Sequence, residues 1–243
     1  MHFVIFQHIA CEHPGVFRRF FARDGIATTA IELDEGDRIP DLSSFDALMV
    51  MGGPMDVWQE HQHPWLVEEK AAIRHAVLDL KMPYLGLCLG HQLLAQALGG
   101  DVGPSTQPEI GIMDVTPTQA GLQSPFFEGL SKTQKCLQWH SAEVTKIPDG
   151  VEVLASSPAC KLQAMSYGMH AFSMQYHVEL ESDTVPNWGA IPEYKSALES
   201  ALGANALPQL EAEANANMAG FNAAAEVLYR NFLIAVGLGK NSH

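Results

Sequence analysis

Cys88 stands in the string Gly86-Leu-Cys-Leu-Gly90, with a glycine two residues away on either side. That pattern suits a nucleophile on a tight turn from a strand into a helix, where side chains two positions away would collide with the turn. At the start of the following helix, unpaired N–H groups and the helix dipole favour thiolate over thiol, and the same N–H groups can face an oxyanion. A thiol nucleophile also needs an imidazole to exchange its proton and a third group to orient that imidazole. His177-Val178-Glu179 holds both. In an extended segment positions i and i+2 share a side, so Glu179 reaches the His177 ring while Val178 faces away. A third string, Met51-Gly-Gly-Pro54, follows an apolar run over 47–51. Glycine there lets a backbone N–H approach a ligand, and Pro54 stiffens the turn. Taken singly, each string has a plainer reading: a core cysteine between glycines, a solvated loop, an ordinary turn.

The elements around these strings read as an α/β fold, an open and mainly parallel sheet flanked by helices in a flavodoxin-like three-layer arrangement. Apolar runs over 3–6, 28–33 and 47–51 alternate with a helical stretch over 15–23, the pattern of a parallel sheet with crossovers. Pro64 opens a helix with Leu66, Ile73, Val77 and Leu80 on one face, and Pro83 stops it. A buried run over 84–87 leads into Cys88, and a helix over 91–98 ends at Gly99-Gly100. From 101 to 177 the chain predicts extra small strands, at 111–115, 151–155 and 171–176, the last delivering His177 at a strand end. Beyond Glu179, Leu210, Ala214, Met218, Phe221, Ala225, Leu228 and Phe232 recur at spacings of three and four, a C-terminal helix with one apolar stripe. The expected organisation is one domain over 1–243, with a motif-bearing core over about 1–180 and a helical part over about 181–243. Residues 186–208 are the least regular stretch and suit an insertion or a lid.

With 14 Lys and Arg against 28 Asp and Glu, the 243-residue chain carries a formal charge of −14, which repels a phosphate backbone and argues against nucleic acid as a partner. Its one basic cluster, Arg18, Arg19 and Arg23, is interleaved with Phe17, Phe20 and Phe21, as in a half-buried helix. Hydrophobic residues at 47 % and charged residues at 17 % describe a globular chain and exclude disorder as its main state. The four cysteines form no CxxC pair, no run is long enough for a membrane span, and the N-terminus lacks the marks of an export signal. A cytoplasmic protein without membrane contact is expected. His61-x-His63 and Cys11-x-His13 lack a third ligand at fixed spacing, so no metal is expected. Neither a P-loop nor a GxGxxG string is present, so no cofactor is expected.

Together the strings resemble the class I, triad-type glutamine amidotransferase family, here as a free-standing member. The resemblance runs in order through Met51-Gly-Gly-Pro54, Gly86-Leu-Cys-Leu-Gly-His-Gln92, Gln138-Trp-His-Ser141 and Gln175-Tyr-His-Val-Glu179, and spans most of residues 1–180. It implies Cys88 as nucleophile, His177 as general base and acid, and Glu179 as the carboxylate that orients it. It further implies an oxyanion hole from the N–H groups of Gly53 and Leu89, a contact of Gln92 with the substrate side chain, and substrate binding by Gly52, His140 and Ser141. Two positions depart from the family. Val178 stands where proline is usual, and its stiff, β-favouring side chain keeps the extended geometry. Ala142-Glu143 follow Ser141 where an aspartate is common, so the grip on the α-amino group differs.

The activity implied is hydrolysis of the glutamine side-chain amide through a γ-glutamyl thioester on Cys88. Without a nucleotide site on this chain, ammonia-using chemistry belongs to a separate synthetase subunit. The alternative is a γ-glutamyl peptidase or hydrolase acting on larger γ-glutamyl amides, its wider pocket shaped by 56–63 and 185–207. A non-catalytic binding or regulatory module is the third reading, opposed by the intact Cys88, His177 and Glu179.

Overall fold

Alternation along the strands sorts apolar side chains to two faces of one sheet. In the computed structural model, which describes residues 1–239, the elements are β1 (His2–Gln7), α1 (Phe17–Asp24), β2 (Ala27–Glu32), β3 (Ala47–Val50), α2 (Trp65–Arg74), β4 (Tyr84–Leu87), α3 (Leu89–Ala97), β5 (Asp101–Pro117), α4 (Gln119–Gln123), β6 (Gln134–Lys146), β7 (Val151–Ser156), β8 (Ala164–Tyr167), β9 (Ala171–Met174), α5 (Thr184–Gly189), α6 (Pro192–Leu202) and α7 (Ala206–Ala235). The strand order is β2-β1-β3-β4-β9-β8-β7-β5-β6. The run from β2 to β9 is parallel, and the remaining pairings are antiparallel.

Phe3, Ile5, Met49, Leu85 and Phe172 face a core shared with α1 and α7. Val4, Phe6, Leu48, Val50 and Tyr84 face the other core, closed by α2 and α3. These are the three layers expected. The middle strands exceed their sequence forecast: β5 and β6 form a long hairpin of 17 and 13 residues. Its residues mix Pro, Gly and polar side chains with few apolar ones, which hid the length of the pairing.

α1 is the half-buried helix its composition predicts: its phenylalanines are buried, and its arginines reach Glu181, Asn222 and Glu226. Leu66, Ile73 and Val77 are fully buried as their spacing requires, but Leu80 is 37 % exposed. After α2 the chain widens into a π turn over His75–Asp79, closed by the Leu80 N–H on His75 O, and this turns Leu80 off the shared face. The C-terminal stripe docks on the chain's own core, where Leu210, Ala214, Phe221, Ala225, Leu228 and Phe232 are buried. Residues 186–208, expected as irregular, fold mainly as α5, α6 and the start of α7, with Pro208 accommodated in the first turn of that last helix. Among the described residues no helix is long and apolar enough to cross a membrane.

Candidate active site

The C-terminal end of β4 turns into α3 through Cys88, whose φ of 50° and ψ of −103° lie where L residues rarely sit. Neighbouring backbone holds the turn: the Cys88 N–H donates to Met174 O at 2.8 Å, and Cys88 O accepts from the N–H of His91 at 3.0 Å. Both flanking glycines are sterically required. A Cβ on Gly86 would lie 2.7 Å from Gly90 O, and one on Gly90 would lie 2.2 Å from Val50 O.

His177 lies past the end of β9, and β6 fixes it there. The chain leaves β9 at Met174, and His177 exchanges two backbone hydrogen bonds with Leu137, at 2.9 and 3.0 Å. Its Nδ1 is 2.5 Å from Glu179 Oε1, and Glu179 Oε2 accepts from the Val178 N–H at 2.9 Å. Val178 is fully buried on the other side, as the extended geometry predicts. The Glu179 carbonyl accepts from the Val16 N–H at 2.8 Å. That contact requires glycine at 15, where φ is +51° and a Cβ would stand 1.8 Å from the same oxygen. Trp188 of α5 meets the His177 ring edge-on, with centroids 4.7 Å apart. Burial works to lower the His177 pKa, but the charge of Glu179 and hydrogen bonds to Cys88 and Glu179 outweigh it and hold the pKa well above the usual range. His177 and Glu179 are thus a hydrogen-bonded pair, Cys88 is near enough to bear on the charge of the His177 ring, and Gln175 Nε2 approaches Cys88 Sγ at 3.6 Å.

A cavity of about 260 Å³ opens beside Cys88, and Gly53, Leu89, Gln92, His140 and Ser141 line it. No acceptor among the described residues engages the N–H of Gly53 or Leu89. Leu89 is the first residue of α3, where helix N–H groups have no internal partner. Gly52 is not on the cavity wall; its carbonyl is taken by His8 Nδ1 at 2.8 Å. Gln92 spends its amide donor inside the protein, on Gln175 Oε1 at 3.0 Å and Ala142 O at 3.3 Å. His140 Nδ1 is likewise occupied, by Ala142 O at 2.9 Å, while Nε2 lies 3.3 Å from Glu109 Oε2 without forming a hydrogen bond. Among the described residues neither Lys nor Arg lines the cavity, whereas Asp56 and Glu193 do.

Sequence reasoning missed several residues that this arrangement uses. α6 supplies a wall through Glu193, Tyr194 and Ala197. The Tyr194 hydroxyl donates to Glu12, a carboxyl 1 % exposed whose pKa burial raises against the opposing pull of His177. His8 and Glu69 form a second buried pair at 2.9 Å. None of these has a spacing signature, because each partner comes from a distant segment; the only hint was an acid and two histidines within the short stretch 8–13. Among the described residues no group of three or more His, Cys, Asp or Glu side chains is placed to hold a metal.

Residues 17–186 match the family model described as glutamine amidotransferase class-I. A glutamine amidotransferase-like protein of Salmonella typhimurium is 30 % identical over 207 residues, covering 84 % of each chain. One of the subunits of the glutamine-hydrolysing GMP synthase of Sulfolobus acidocaldarius is 33 % identical over 158 residues, 65 % of this chain and 78 % of that one. Among solved structures, a glutamine amidotransferase from Methylobacillus flagellatus superposes with a TM-score of 0.84 at 28 % identity, covering 99 % of this chain and 97 % of that one.

Proposed function

The chain belongs to the class I glutamine amidotransferase family, and from that premise we propose that it hydrolyses the side-chain amide of glutamine through a γ-glutamyl thioester on Cys88. The observation that carries this reading is the hydrogen-bonded pair of His177 and Glu179 with Cys88 close by on its strained turn, beside the unengaged N–H groups of Gly53 and Leu89. His177 takes the proton of the Cys88 thiol, a charge on the ring favoured by the pKa that Glu179 holds raised against burial. The Cys88 sulfur adds to the amide carbon, and the carbonyl π electrons move to oxygen, where the two N–H groups receive the oxyanion. The oxyanion then collapses, the C–N bond breaks, and His177 gives its proton to the departing nitrogen, releasing ammonia. Water next attacks the thioester with His177 as base, and glutamate leaves with the sulfur free again.

Asp56 and Glu193 stand at the cavity wall where a substrate ammonium group finds negative charge, in place of the aspartate absent after Ser141. Ammonia passes to a synthetase on a separate chain, as the division of the GMP synthase relatives into subunits suggests. A cytoplasmic setting agrees with four free cysteines. Walls contributed by 56–59 and by α6 favour, as a second reading, γ-glutamyl amides larger than glutamine.

The test is ammonia release from glutamine by the purified chain, beside Cys88→Ala and Glu179→Gln. Cys88→Ala abolishes release with its melting temperature kept. Glu179→Gln lowers kcat by about two to four orders of magnitude, since volume remains but the orienting charge is lost. Ammonia release surviving in Cys88→Ala refutes the nucleophile. Hydrolysis of a γ-glutamyl peptide at a kcat/KM well above that of glutamine selects the second reading.

A further inference from the structure

Behind the oxyanion turn lies a buried pair that takes no direct part in the steps above. His8 follows β1 directly, Glu69 lies on α2, and both side chains are fully buried, with Nε2 and Oε1 2.9 Å apart. The other ring nitrogen, Nδ1, is 2.8 Å from Gly52 O, and Trp65 stacks on the ring at 5.5 Å and 16°. A carbonyl oxygen only accepts, so Nδ1 carries a proton whichever of His8 and Glu69 holds the other one. Burial opposes a charged His8, yet Glu69 and the Gly52 carbonyl outweigh it and raise the pKa.

The Gly52 carbonyl and the Gly53 N–H belong to one planar trans peptide, in which they point in opposite directions. A donor fixed on the carbonyl from the α2 side therefore aims the Gly53 N–H the other way, and Gly53 lines the cavity with Cys88. Hydrogen bonds in series also polarise one another, so an imidazole N–H on the oxygen strengthens the N–H at the far end as a donor. Local sterics fit this purpose. A Cβ on Gly53 would stand 2.9 Å from His8 Cβ, and one on Gly52 would stand 2.6 Å from Glu12 Oε2, so the two glycines let the peptide sit between these side chains.

We propose that Glu69 and His8 are positioning residues that orient and polarise the Gly53 N–H through the Gly52 carbonyl, a second relay serving the oxyanion as His177 and Glu179 serve the thiol. The inference rests on the reading of Gly53 as an oxyanion donor.

The experiment uses His8→Leu combined with Glu69→Met, which removes both members and leaves no lone buried charge. Three quantities are read: ammonia release from glutamine, the rate at which iodoacetamide alkylates Cys88, and the ¹H–¹⁵N resonance of Gly53 without substrate. Loss of an oxyanion donor costs about 10²- to 10³-fold in kcat, and misaiming one costs part of that. The expected result is a kcat about 10- to 100-fold lower with KM within about twofold, alkylation unchanged, and the Gly53 resonance displaced. Glu69→Gln keeps the volume and the Nδ1–H donor, so it shows a smaller fall and a smaller displacement; it also serves if the double variant does not fold. Full kcat in the double variant, alkylation falling in parallel with kcat, or an unmoved Gly53 resonance each overturn the proposal. Lack of Cys88-dependent ammonia release in the unaltered protein counts against the glutaminase reading, and the Gly53 resonance then decides the relay by itself.

Discussion

Gly90→Ala asks whether the elbow around Cys88 is held by close backbone approach or merely tolerates glycine. The added Cβ would stand 2.2 Å from Val50 O, 2.8 Å from Val50 C and 3.0 Å from Val50 Cβ, all on or next to the β3 backbone. Ordinary contact begins at 3.4 Å, so α3 and β3 must part by about 1 Å. Neither side yields freely: the Gly90 N–H donates to Met51 O at 3.1 Å, and Gly90 O accepts from the Tyr84 hydroxyl at 2.7 Å. Overpacking of this kind costs about 1–3 kcal/mol, and at about 2–4 °C per kcal/mol the midpoint of thermal unfolding falls by roughly 2–12 °C. Cys88 stands two residues away and Gly53 just beyond β3, so the same separation moves the Cys88 thiol and the Gly53 N–H apart. A misplacement of about 1 Å costs on the order of 100-fold in rate. Gly103→Ala is the control, since its Cβ would meet only Thr145 Cγ2, at 3.5 Å. Thermal melts and ammonia-release kinetics at a temperature where both variants are folded give the answer. A Gly90→Ala protein with the turnover and melting midpoint of the control refutes the steric account.

Val178→Pro restores the residue usual in the family but removes the N–H that donates to Glu179 Oε2 at 2.9 Å. Because hydrogen bonds to charged groups contribute about 1.5–3 kcal/mol, kcat drops by about an order of magnitude, and an unchanged kcat shows that Glu179 does not need this donor. His91 is held neutral, with its pKa pushed down to about 3 by burial and then by His140. Its unfolded form binds a proton near 6.5 that the folded form refuses until about 3, so stability from this residue is complete above the unfolded pKa and is lost at about 1.4 kcal/mol per pH unit as pH falls through that window. His91→Asn removes the dependence, and the melting-temperature gap between wild type and variant narrows between pH 7 and pH 5; parallel curves refute the assignment. Gly220 lies inside α7 with nothing within 4 Å of an added Cβ. Gly220→Ala therefore stabilises by up to about 1 kcal/mol, and a lowered melting temperature contradicts its placement on an open helical face.

Local chemistry made the proximity of Cys88, His177 and Glu179 legible, and tertiary contact concealed their supports. Gly86, Cys88 and Gly90 declare themselves because one turn imposes a steric rule at fixed spacing, and His177 and Glu179 do so because extended chain repeats every two residues. The central parallel strands β1, β3, β4 and β9, buried on both faces, read as short apolar runs. β5 was read only over 111–115 and β6 not at all, since long pairing through polar and glycine-rich chain leaves little hydrophobic pattern. Leu80 was misplaced because a π turn cannot be seen in a period of 3.6. His8, Glu12, Glu69 and Tyr194 stayed silent because the meaning of each depends on a partner 44 to 182 residues away.

Register explains why residues 53, 88 and 177 meet at all. β3 and β9 flank β4 in parallel, pairing Val50 with Gly86 and Leu87 with Met174. Three strands with a common direction release their chains at the same edge, so the turn after β3, the elbow after β4 and the segment after β9 stand side by side. The proposed nucleophile, the proposed oxyanion donor and the imidazole are thus distributed one to a strand end. Each is then fixed by a different neighbour: Cys88 by Met174 O, Gly53 through Gly52 O by His8, and His177 by Leu137. A one-residue slip of β9 against β4 would exchange the buried faces of Phe172 and Ala171, which belong to opposite cores. The packing that holds the two cores apart is therefore also what keeps the imidazole within reach of the thiol.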